Sequence, residues 1–407
     1  MNIAFFLHYF SPEIGAPSAR IHELSRRWIE MGHAVDVVTC FPNHPDGEIY
    51  PGYEKSKYSY EVLDKIHVHR NWTYITQNKG IIKRTLGHIS FWPSSRLFSS
   101  NRVRDPDVVI GTSPTFFAPM AARGFARSKN VPFLMEVRDL WPGIFVELGV
   151  IQNKMIINLL EAWELWMYKQ AVKVITVTSS FKENIVKRGI PEAKIEVVPN
   201  GADIEFWKPL DRPSTLDREL NLEKKFVVLY IGAHGISQAL DQVLEAAKTL
   251  MDKKEITFLF VGSGSKKEEL VKIANEENIE NVIFHDPVSK DQVKEFYNLA
   301  DVCLVPLQDV DLFKTFIPSK MFEIMAMETP IVASLEGEAK AILEESKSAL
   351  ITPPEDSQAL AEAITLLYNQ PQKRKKLAKL GRKFVKENFS RKALAEKYIS
   401  LMDECLS

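Results

Sequence analysis

The sequence predicts two doubly wound α/β domains in tandem, each a parallel sheet covered by helices on both faces. Three observations carry that prediction. The 407 residues exceed one ordinary domain and suffice for two, each with its own core. Short apolar runs alternate with helical patterns along nearly the whole chain, the βαβ rhythm of a sheet buried on both faces. The rhythm breaks once, after Asn200-Gly201 and Pro209, in a polar stretch over residues 206–224 that reads as a linker; it restarts at Phe226.

Strands are expected over residues 3–7, 35–39, 66–70, 108–111, 133–137, 174–177 and 195–198 in the first half. In the second half they fall over residues 226–231, 256–261, 282–285, 302–306, 331–333 and 350–351. Between the first two strands, Ile21, Leu24, Trp28 and Ile29 recur at helical spacing, and the pattern stops at Gly32-His33. Trp163, Trp166 and Met167 with Leu159 and Ile156 form a helical stripe, expected to face a core. Charged amphipathic helices over residues 373–387 and 391–405 close the chain, and the basic run 373–386 reads as a solvated face. The predicted domains are residues 1–205 and 206–388, with residues 389–407 a helix packing back on the first domain. The carboxyl ends of both sheets are expected to face a central cleft, where such sheets bind ligands.

Composition narrows the class. The chain is 45% apolar, 26% charged and 10% aromatic, as soluble globular proteins are. Its 52 basic and 53 acidic residues leave a formal charge of −1, which disfavours a nucleic-acid binder. Cys40, Cys303 and Cys405 are too dispersed for a disulfide framework or metal knuckle, and Cys303 in VCLVPL reads as a core residue. A reducing cytosol suits them. The chain opens on the strand-like IAFFL with no basic n-region or cleavage site, and no apolar run is long enough to span a bilayer. No HExxH, paired CxxC or metal-holding DxD is read, so neither metal nor cofactor is expected.

The most informative stretch is PSKMFEIMAMETPIV, starting at Pro318. Glu323 sits on a helix among Met321, Phe322, Ile324, Met325 and Met327, where a carboxylate is costly to bury without a partner. Ser319 precedes it by one turn on the same face. Lys320 places a cation in the first turn, against the helix dipole. A phosphate-bearing ligand at that terminus, with Glu323 on its hydroxyls, would reconcile the two.

Other stretches read more than one way. In HYFSPEIGAPSAR, Gly15 and Ala16 form either a plain βα turn or a close approach to a ligand. Arg138 and Asp139 of EVRDLWPGI emerge at a strand end, as cleft residues or as a capped, ion-paired turn. YIGAHGISQALD brackets His234 between Gly232 and Gly235, and FVGSGSKKEEL repeats the design with Gly262 and Gly264; each is an amide cradle or a turn. Residues 79–104 hold six Lys/Arg, no acid, and the aromatics Phe91, Trp92 and Phe98. That stretch suits an anionic membrane surface or a lipid phosphate, or is a solvated face. His67 and His69 share a strand face without a third metal ligand.

Together VVPNGADIEFWKP, PSKMFEIMAMETPIVAS and ITPPEDSQALAEAI resemble the retaining glycosyltransferases of family 4, over nearly the whole chain. RDLWP, the YIGAHG loop and the PSK triplet are similar to its WbuB-like branch of O-antigen and capsule N-acetyl-L-fucosaminyl transferases. The resemblance implies the GT-B fold, two Rossmann-like domains facing a central cleft, with a nucleotide-sugar donor on the C-terminal domain and the acceptor on the N-terminal one. It implies transfer with retention, without a metal, from a UDP-linked sugar to a glycan or polyprenyl-diphosphate-linked acceptor. The expected location is cytoplasmic, peripheral on the inner face of the membrane through residues 79–104. By the same resemblance Glu323 binds the ribose, while Thr315 occupies the place of the family's other glutamate. The family's Arg/Lys pair on the diphosphate is replaced by Ala233, His234 and Gln238. Lys320, the amides after Pro318, and Gly15-Ala16 are the substitutes; Gly262 and Val288 are implied at the base, and Asp139 with Arg138 at the reacting sugar. A nucleotide-sugar epimerase or hydrolase, or a non-catalytic nucleotide-sugar-binding subunit, is the alternative.

Overall fold

The computed structural model describes residues 1–13, 15–44, 47–76, 81–113, 116–143, 146 and 151–406. The chain separates into two compact units, Met1–Pro199 with Arg391–Ser407, and Asn200–Ser390.

The first unit is an eight-stranded sheet of order β3-β4-β2-β1-β5-β6-β7-β8. Its strands are β1 (Asn2–Phe6), β2 (Ala34–Cys40), β3 (Tyr58–Leu63), β4 (Ile66–Asn71), β5 (Val108–Thr112), β6 (Phe133–Val137), β7 (Lys173–Thr176) and β8 (Ile195–Val197). All neighbours pair in parallel except β3 and β4, which form an antiparallel hairpin. The sheet is therefore mixed rather than purely parallel. Residues Asp64 and Lys65 turn the hairpin at φ 48° and 67°, the left-handed conformation of a tight turn. Strand β3 was not expected because Asp-Lys is not a usual hairpin dipeptide and YSYEVL is a half-exposed edge with little apolar pattern.

Helices α1 (Ala16–Glu30), α2 (Ile81–Phe98), α3 (Phe117–Lys129), α4 (Lys154–Gln170) and α5 (Ser179–Lys187) follow in this unit. One face of the sheet packs Ile3, Phe5, Val35, Val37, Val108 and Ile110 against Ile21, Leu24 and Trp28 of α1. The helix Arg391–Leu406 joins the same core through Leu394, Tyr398 and Met402. The Trp28 indole N–H donates to the Ala395 carbonyl at 3.2 Å, and Arg391 Nε donates to Glu23 at 2.8 Å. A buried ion pair crosses this core. Arg20 donates through Nε and Nη2 to Glu136 at 3.1 and 3.0 Å, and through its remaining N–H groups to the carbonyls of Pro199 and Val198. Thr112 Oγ1 donates to the other carboxylate oxygen of Glu136 at 3.1 Å. Both charges are almost fully buried, so each depends on the other for its solvation.

The second unit is a wholly parallel sheet of order β11-β10-β9-β12-β13-β14. Its strands are β9 (Phe226–Ile231), β10 (Ile256–Val261), β11 (Val282–His285), β12 (Val302–Pro306), β13 (Ile331–Ser334) and β14 (Ala349–Thr352). Along β9, Val227, Leu229 and Ile231 enter one core while Phe226, Val228 and Tyr230 enter the other. That is why this strand reads as unbroken apolar sequence. The helices are α6 (Ser214–Glu219), α7 (Leu240–Thr249), α8 (Lys267–Glu276), α9 (Lys290–Leu299), α10 (Lys320–Ala326), α11 (Glu338–Ser346), α12 (Ser357–Asn369) and α13 (Pro371–Asn388).

Two expectations change here. Residues 206–224 are not a linker. Trp207 and Leu222 are 1% exposed in the second core, and Arg212 pairs with Asp217 at 2.8 Å. The unit accordingly begins at Asn200, earlier than residue 206, and Ala202 bridges Ser390 where the chain crosses back. The stripe on α4 is only partly core. Met167 is buried, but Ile156, Leu159 and Trp166 are 48%, 69% and 39% exposed. Helical spacing identifies one face of a helix without saying what covers it.

Replacing Arg20 by Met should leave Glu136 buried and uncompensated, lowering stability by about 3–5 kcal/mol. Urea denaturation of Arg20→Met checks this, and the double variant Arg20→Met/Glu136→Gln should recover part of the loss.

Candidate active site

In the second unit the strand order reverses between β9 and β12, and the loops leaving their carboxyl ends meet there. Gln308 N, after β12, donates to the Ser237 carbonyl, after β9, at 3.0 Å. The loops after β9 and β10 lie backbone on backbone. Gly232 N donates to Val261 O at 2.9 Å, His234 N to Ser263 O at 2.8 Å, and Lys266 N to His234 O at 2.9 Å. A Cβ on Gly262 would fall 2.0 Å from the Gly232 carbonyl oxygen, and one on Gly264 2.3 Å from that of His234. Both glycines also hold positive φ, 141° and 157°. No side chain fits at either place.

Into this crevice α10 sends Lys320. Its Nζ stands 4.0 Å from the centroid of the Tyr230 ring and would lie 2.6 Å from a Cβ on Gly232. The Tyr230 hydroxyl donates to the Ala233 carbonyl at 2.6 Å, which fixes the ring under the ammonium. Burial pushes the Lys320 pKa down to about 8, against an opposing pull from Glu323. His234 is fully buried beside Gly262. Burial, then Lys267 and Lys320, push its pKa down to about 4, so at neutral pH the ring is uncharged and one nitrogen keeps its N–H. The Val261 carbonyl lies close enough to favour the protonated ring. Neither ring nitrogen, however, makes a hydrogen bond of good geometry among the described residues.

Glu323 lies one turn beyond Lys320, half-buried, and accepts from the buried Tyr297 hydroxyl at 3.3 Å. The expected amide cradle after Pro318 takes a different form. Helix α10 has only seven residues. Met321 N and Phe322 N already donate to the carbonyls of Pro318 and Ser319 at 3.0 and 3.2 Å. The Ser319 side chain makes no cap. What the segment contributes to the crevice is therefore the Lys320 ammonium. Thr315 ends a short 3-10 turn, with Oγ1 donating to the Leu312 carbonyl at 2.6 Å. In the loop after β9, Gly235 N donates to Gln238 Oε1 at 3.0 Å, so the residue in place of a family cation braces its own loop. Val288 packs half-buried on the core beyond the edge strand β11. The triplet Asp309-Val310-Asp311, a DxD that the sequence reading passed over, places both carboxylates on Lys314 at 3.4 and 2.8 Å.

In the first unit Arg138 and Asp139 follow β6. Their amides donate to Ser113 Oγ at 2.8 and 3.5 Å. Burial pushes the Asp139 pKa up to about 6, against an opposing pull from Arg138 beside it. The Arg138 guanidinium is buried, pushed down to about 10 chiefly by desolvation, and remains a cation at neutral pH. Its Nε and Nη1 find no hydrogen-bond partner among the described residues. Gly15 is the exposed N-terminal boundary of α1, whose first residue is Ala16; Ala19 N donates to its carbonyl at 3.0 Å.

Sequence reasoning missed the group beside that loop. Glu13 accepts from the amides of Phe10, Asn43 and His44 at 3.0, 2.9 and 2.9 Å, tying the loops after β1 and β2. They frame a small cavity of about 20 Å³ lined by His8, Tyr9, His44, Lys83 and His88, with Tyr9 Oη 3.1 Å from His88 Nε2. Single histidines scattered from residue 8 to residue 88 gave no local spacing to read. His67 and His69, by contrast, are accounted for by Tyr60 at 2.6 Å and by Tyr58 and Asp36, each at 2.9 Å.

Comparison with known proteins gives this arrangement its class. Residues 18–206 match the sequence profile of Glycosyltransferase Family 4, and residues 212–384 that of Glycosyl transferases group 1. The two matches take in most of both units, and the chain is a glycosyltransferase of the GT-B type. Among its relatives is the candidate colanic acid biosynthesis glycosyl transferase WcaI of Escherichia coli (strain K12), 26% identical over 344 residues, 83% of this chain and 84% of that protein. The alpha-galactosylglucosyldiacylglycerol synthase of Streptococcus pneumoniae (strain ATCC BAA-255 / R6) is 27% identical over 203 residues, 48% of this chain and 52% of that protein. In fold the chain is similar to sucrose-phosphate synthase of Thermosynechococcus elongatus, with TM-score 0.76 at 20% identity over 99% of this chain and 98% of that one. It is also similar to Anabaena HepE in complex with UDP-glucose, with TM-score 0.72 at 16% identity over 99% of this chain and the whole of that one.

Gly262→Ala should cost at least about 2 kcal/mol of stability, through strain at positive φ and the clash with a backbone carbonyl; thermal denaturation checks it. The Lys320 ammonium is present below about pH 8 and is lost as pH rises through that value. The affinity for a nucleoside diphosphate should therefore fall above pH 8, by at most about tenfold per pH unit. Calorimetry of wild type and Lys320→Ala across pH 6.5–9.5 checks this, the variant being weaker throughout and flat over that range.

Proposed function

We propose that the protein is a retaining glycosyltransferase that takes a sugar from a UDP-linked donor held by its second unit and places it on a lipid-linked glycan acceptor. The observation that carries the reading is the crevice between β9 and β12. There one ammonium, one neutral imidazole and a glycine-lined backbone converge, one helical turn from a carboxylate suited to two vicinal hydroxyls. A ribosyl diphosphate has that order of groups: hydroxyls for Glu323, diphosphate oxygens for Lys320 and the His234 N–H. HepE, a protein of similar fold, is complexed with UDP-glucose, which favours uridine as the base.

Transfer breaks the bond between the anomeric carbon and the diphosphate, and charge gathers on the departing oxygen. Lys320 and His234 are fixed before that charge develops and need not reorganise to meet it, which is where such sites gain most of their rate. This is charge compensation by side chains in place of the family's Arg/Lys pair. Gly232, Gly235, Gly262, Ser319, Pro318 and Thr315 shape the same donor crevice in this reading, with Val288 toward the base. Arg138 and Asp139 are assigned to the acceptor side. The Asp139 carboxylate is ionised above about pH 6 and can take or orient the proton of the attacking hydroxyl. The Gly15-Ala16 turn is assigned to the same side. The relative from E. coli is named for colanic acid biosynthesis, which favours a surface polysaccharide; an N-acetylated 6-deoxy amino sugar is the donor that the branch resemblance suggests.

Glu323→Ala should weaken UDP binding about tenfold or more while the protein stays folded, because a carboxylate on two hydroxyls contributes charge-assisted hydrogen bonds. Asp139→Asn should leave UDP affinity intact and lower turnover by about 10²-fold or more. Calorimetry with UDP reads the affinities, and a mass-spectrometric screen of nucleotide sugars with and without polyprenyl-diphosphate-linked acceptors reads the turnover. Rapid consumption of the donor alone would identify an epimerase or hydrolase instead. Binding without conversion of any pair would identify a non-catalytic subunit, a reading favoured by the Thr315 hydroxyl being spent on its own turn.

A further inference from the structure

The first unit exposes an apolar face that its own core leaves bare. On α4, Met155, Leu159 and Trp166 are 83%, 69% and 39% exposed and recur at positions i, i+4 and i+11, one stripe of the helix. On α2, Leu86, Ile89, Trp92 and Leu97 are 47%, 39%, 38% and 74% exposed. Helix α3 packs against both. Over it runs a groove of about 470 Å³, walled by Trp92 and Arg96 of α2 and Trp166 of α4, with Met120, Arg123 and Arg127 contributed by α3. Gly124 lies along it, and a Cβ there would meet nothing within 4 Å. Arg123 lies over the Trp166 ring, 4.6 Å from its centroid, and donates to Gln170 at 2.8 Å. Neither α2 nor α3 carries an aspartate or glutamate. On α4, Glu164 is buried against Arg188 and Tyr168, and Glu161 lies off the stripe.

We propose that this face docks on an anionic lipid bilayer, with the leucines and tryptophans of α2 and α4 entering the interface and the groove arginines taking a lipid phosphate. Long apolar side chains flanked by cations suit that boundary, and tryptophan favours the headgroup level. Arginine forks match phosphate oxygens. Charge also decides against a second copy of the chain, since a two-fold contact would set one basic face against another. The proposal deepens the reading of a lipid-linked acceptor by naming the surface that would meet the membrane. It reaches past residues 79–104 to α4, whose Trp166 lines the same groove as Trp92 and Arg96. Residues 79 and 80 of that stretch lie outside the described residues, as does the side chain of Arg84.

Sedimentation of the full chain with vesicles tests it. The wild type should bind vesicles of phosphatidylcholine and phosphatidylglycerol in equal parts and not those of phosphatidylcholine alone. Arg96→Ala and Arg127→Ala should each lower the partition coefficient about fivefold. Leu97→Asp with Leu159→Asp should abolish binding, and because both leucines are exposed, UDP affinity should be unchanged. If that pair fails to fold, the arginine variants carry the test. A wild type that ignores anionic vesicles, or binds both kinds equally, overturns the proposal. So does a concentration-dependent dimer that Leu159→Asp dissociates. Vesicle binding that persists in a protein unable to bind UDP would instead sink the donor reading and leave this surface standing.

Discussion

The second unit depends on two missing side chains. At residues 262 and 264 the loop after β10 touches the loop after β9 so closely that any Cβ would overlap a carbonyl. That contact sets the backbone of Gly232 to His234, buries the imidazole, and leaves room beside Gly232 for the Lys320 ammonium. The crevice is thus defined first by backbone, and its charges are fitted afterwards. Glycine is needed at these two positions for space as much as for φ.

Burial gives the candidate residues of each unit their chemistry. The same cause, loss of hydration, pushes Lys320 down to about 8, His234 down to about 4, and Asp139 up to about 6. Arg138 stays charged only because a guanidinium starts so far above neutrality. Buried groups shifted this far are expensive to the fold and are recovered when a ligand supplies the missing partner. The Arg20–Glu136 pair shows the contrasting case, in which two buried charges satisfy each other and join α1, β6 and the end of β8 into one core. The exposed stripe on α4 completes the pattern from the apolar side, since its leucine and tryptophan lie outside the unit's core just as Nε and Nη1 of Arg138 lack hydrogen-bond partners among the described residues.

Much of the architecture could be read along the chain because it is local or periodic. Strand β9 alternates its side chains between two cores, so FVVLYI admits only a central strand, and the run from β9 to β14 follows from that rhythm. Glu323 and Lys320 also stood out locally, as an acid and a base on an otherwise apolar turn. The hairpin of β3 did not, because its half-exposed edge and Asp64-Lys65 turn carry little pattern. Residues 206–224 misled for a related reason: their polar surface hid Trp207 and Leu222, two anchors that composition averages away.

The sequence by itself determined that there are two α/β units, and it singled out Glu323 and Lys320 as an acid and a base on an otherwise apolar helix, with glycine-bounded loops whose role it left open. Only the tertiary structure decided that Lys320 lies across Tyr230 beside a neutral His234, because residues about ninety positions apart approach only once β9 and β12 are neighbours in a sheet. It also decided that the stripe on α4 faces outward. Periodicity fixes which residues share a side of a helix, whereas burial depends on what the rest of the chain places against it.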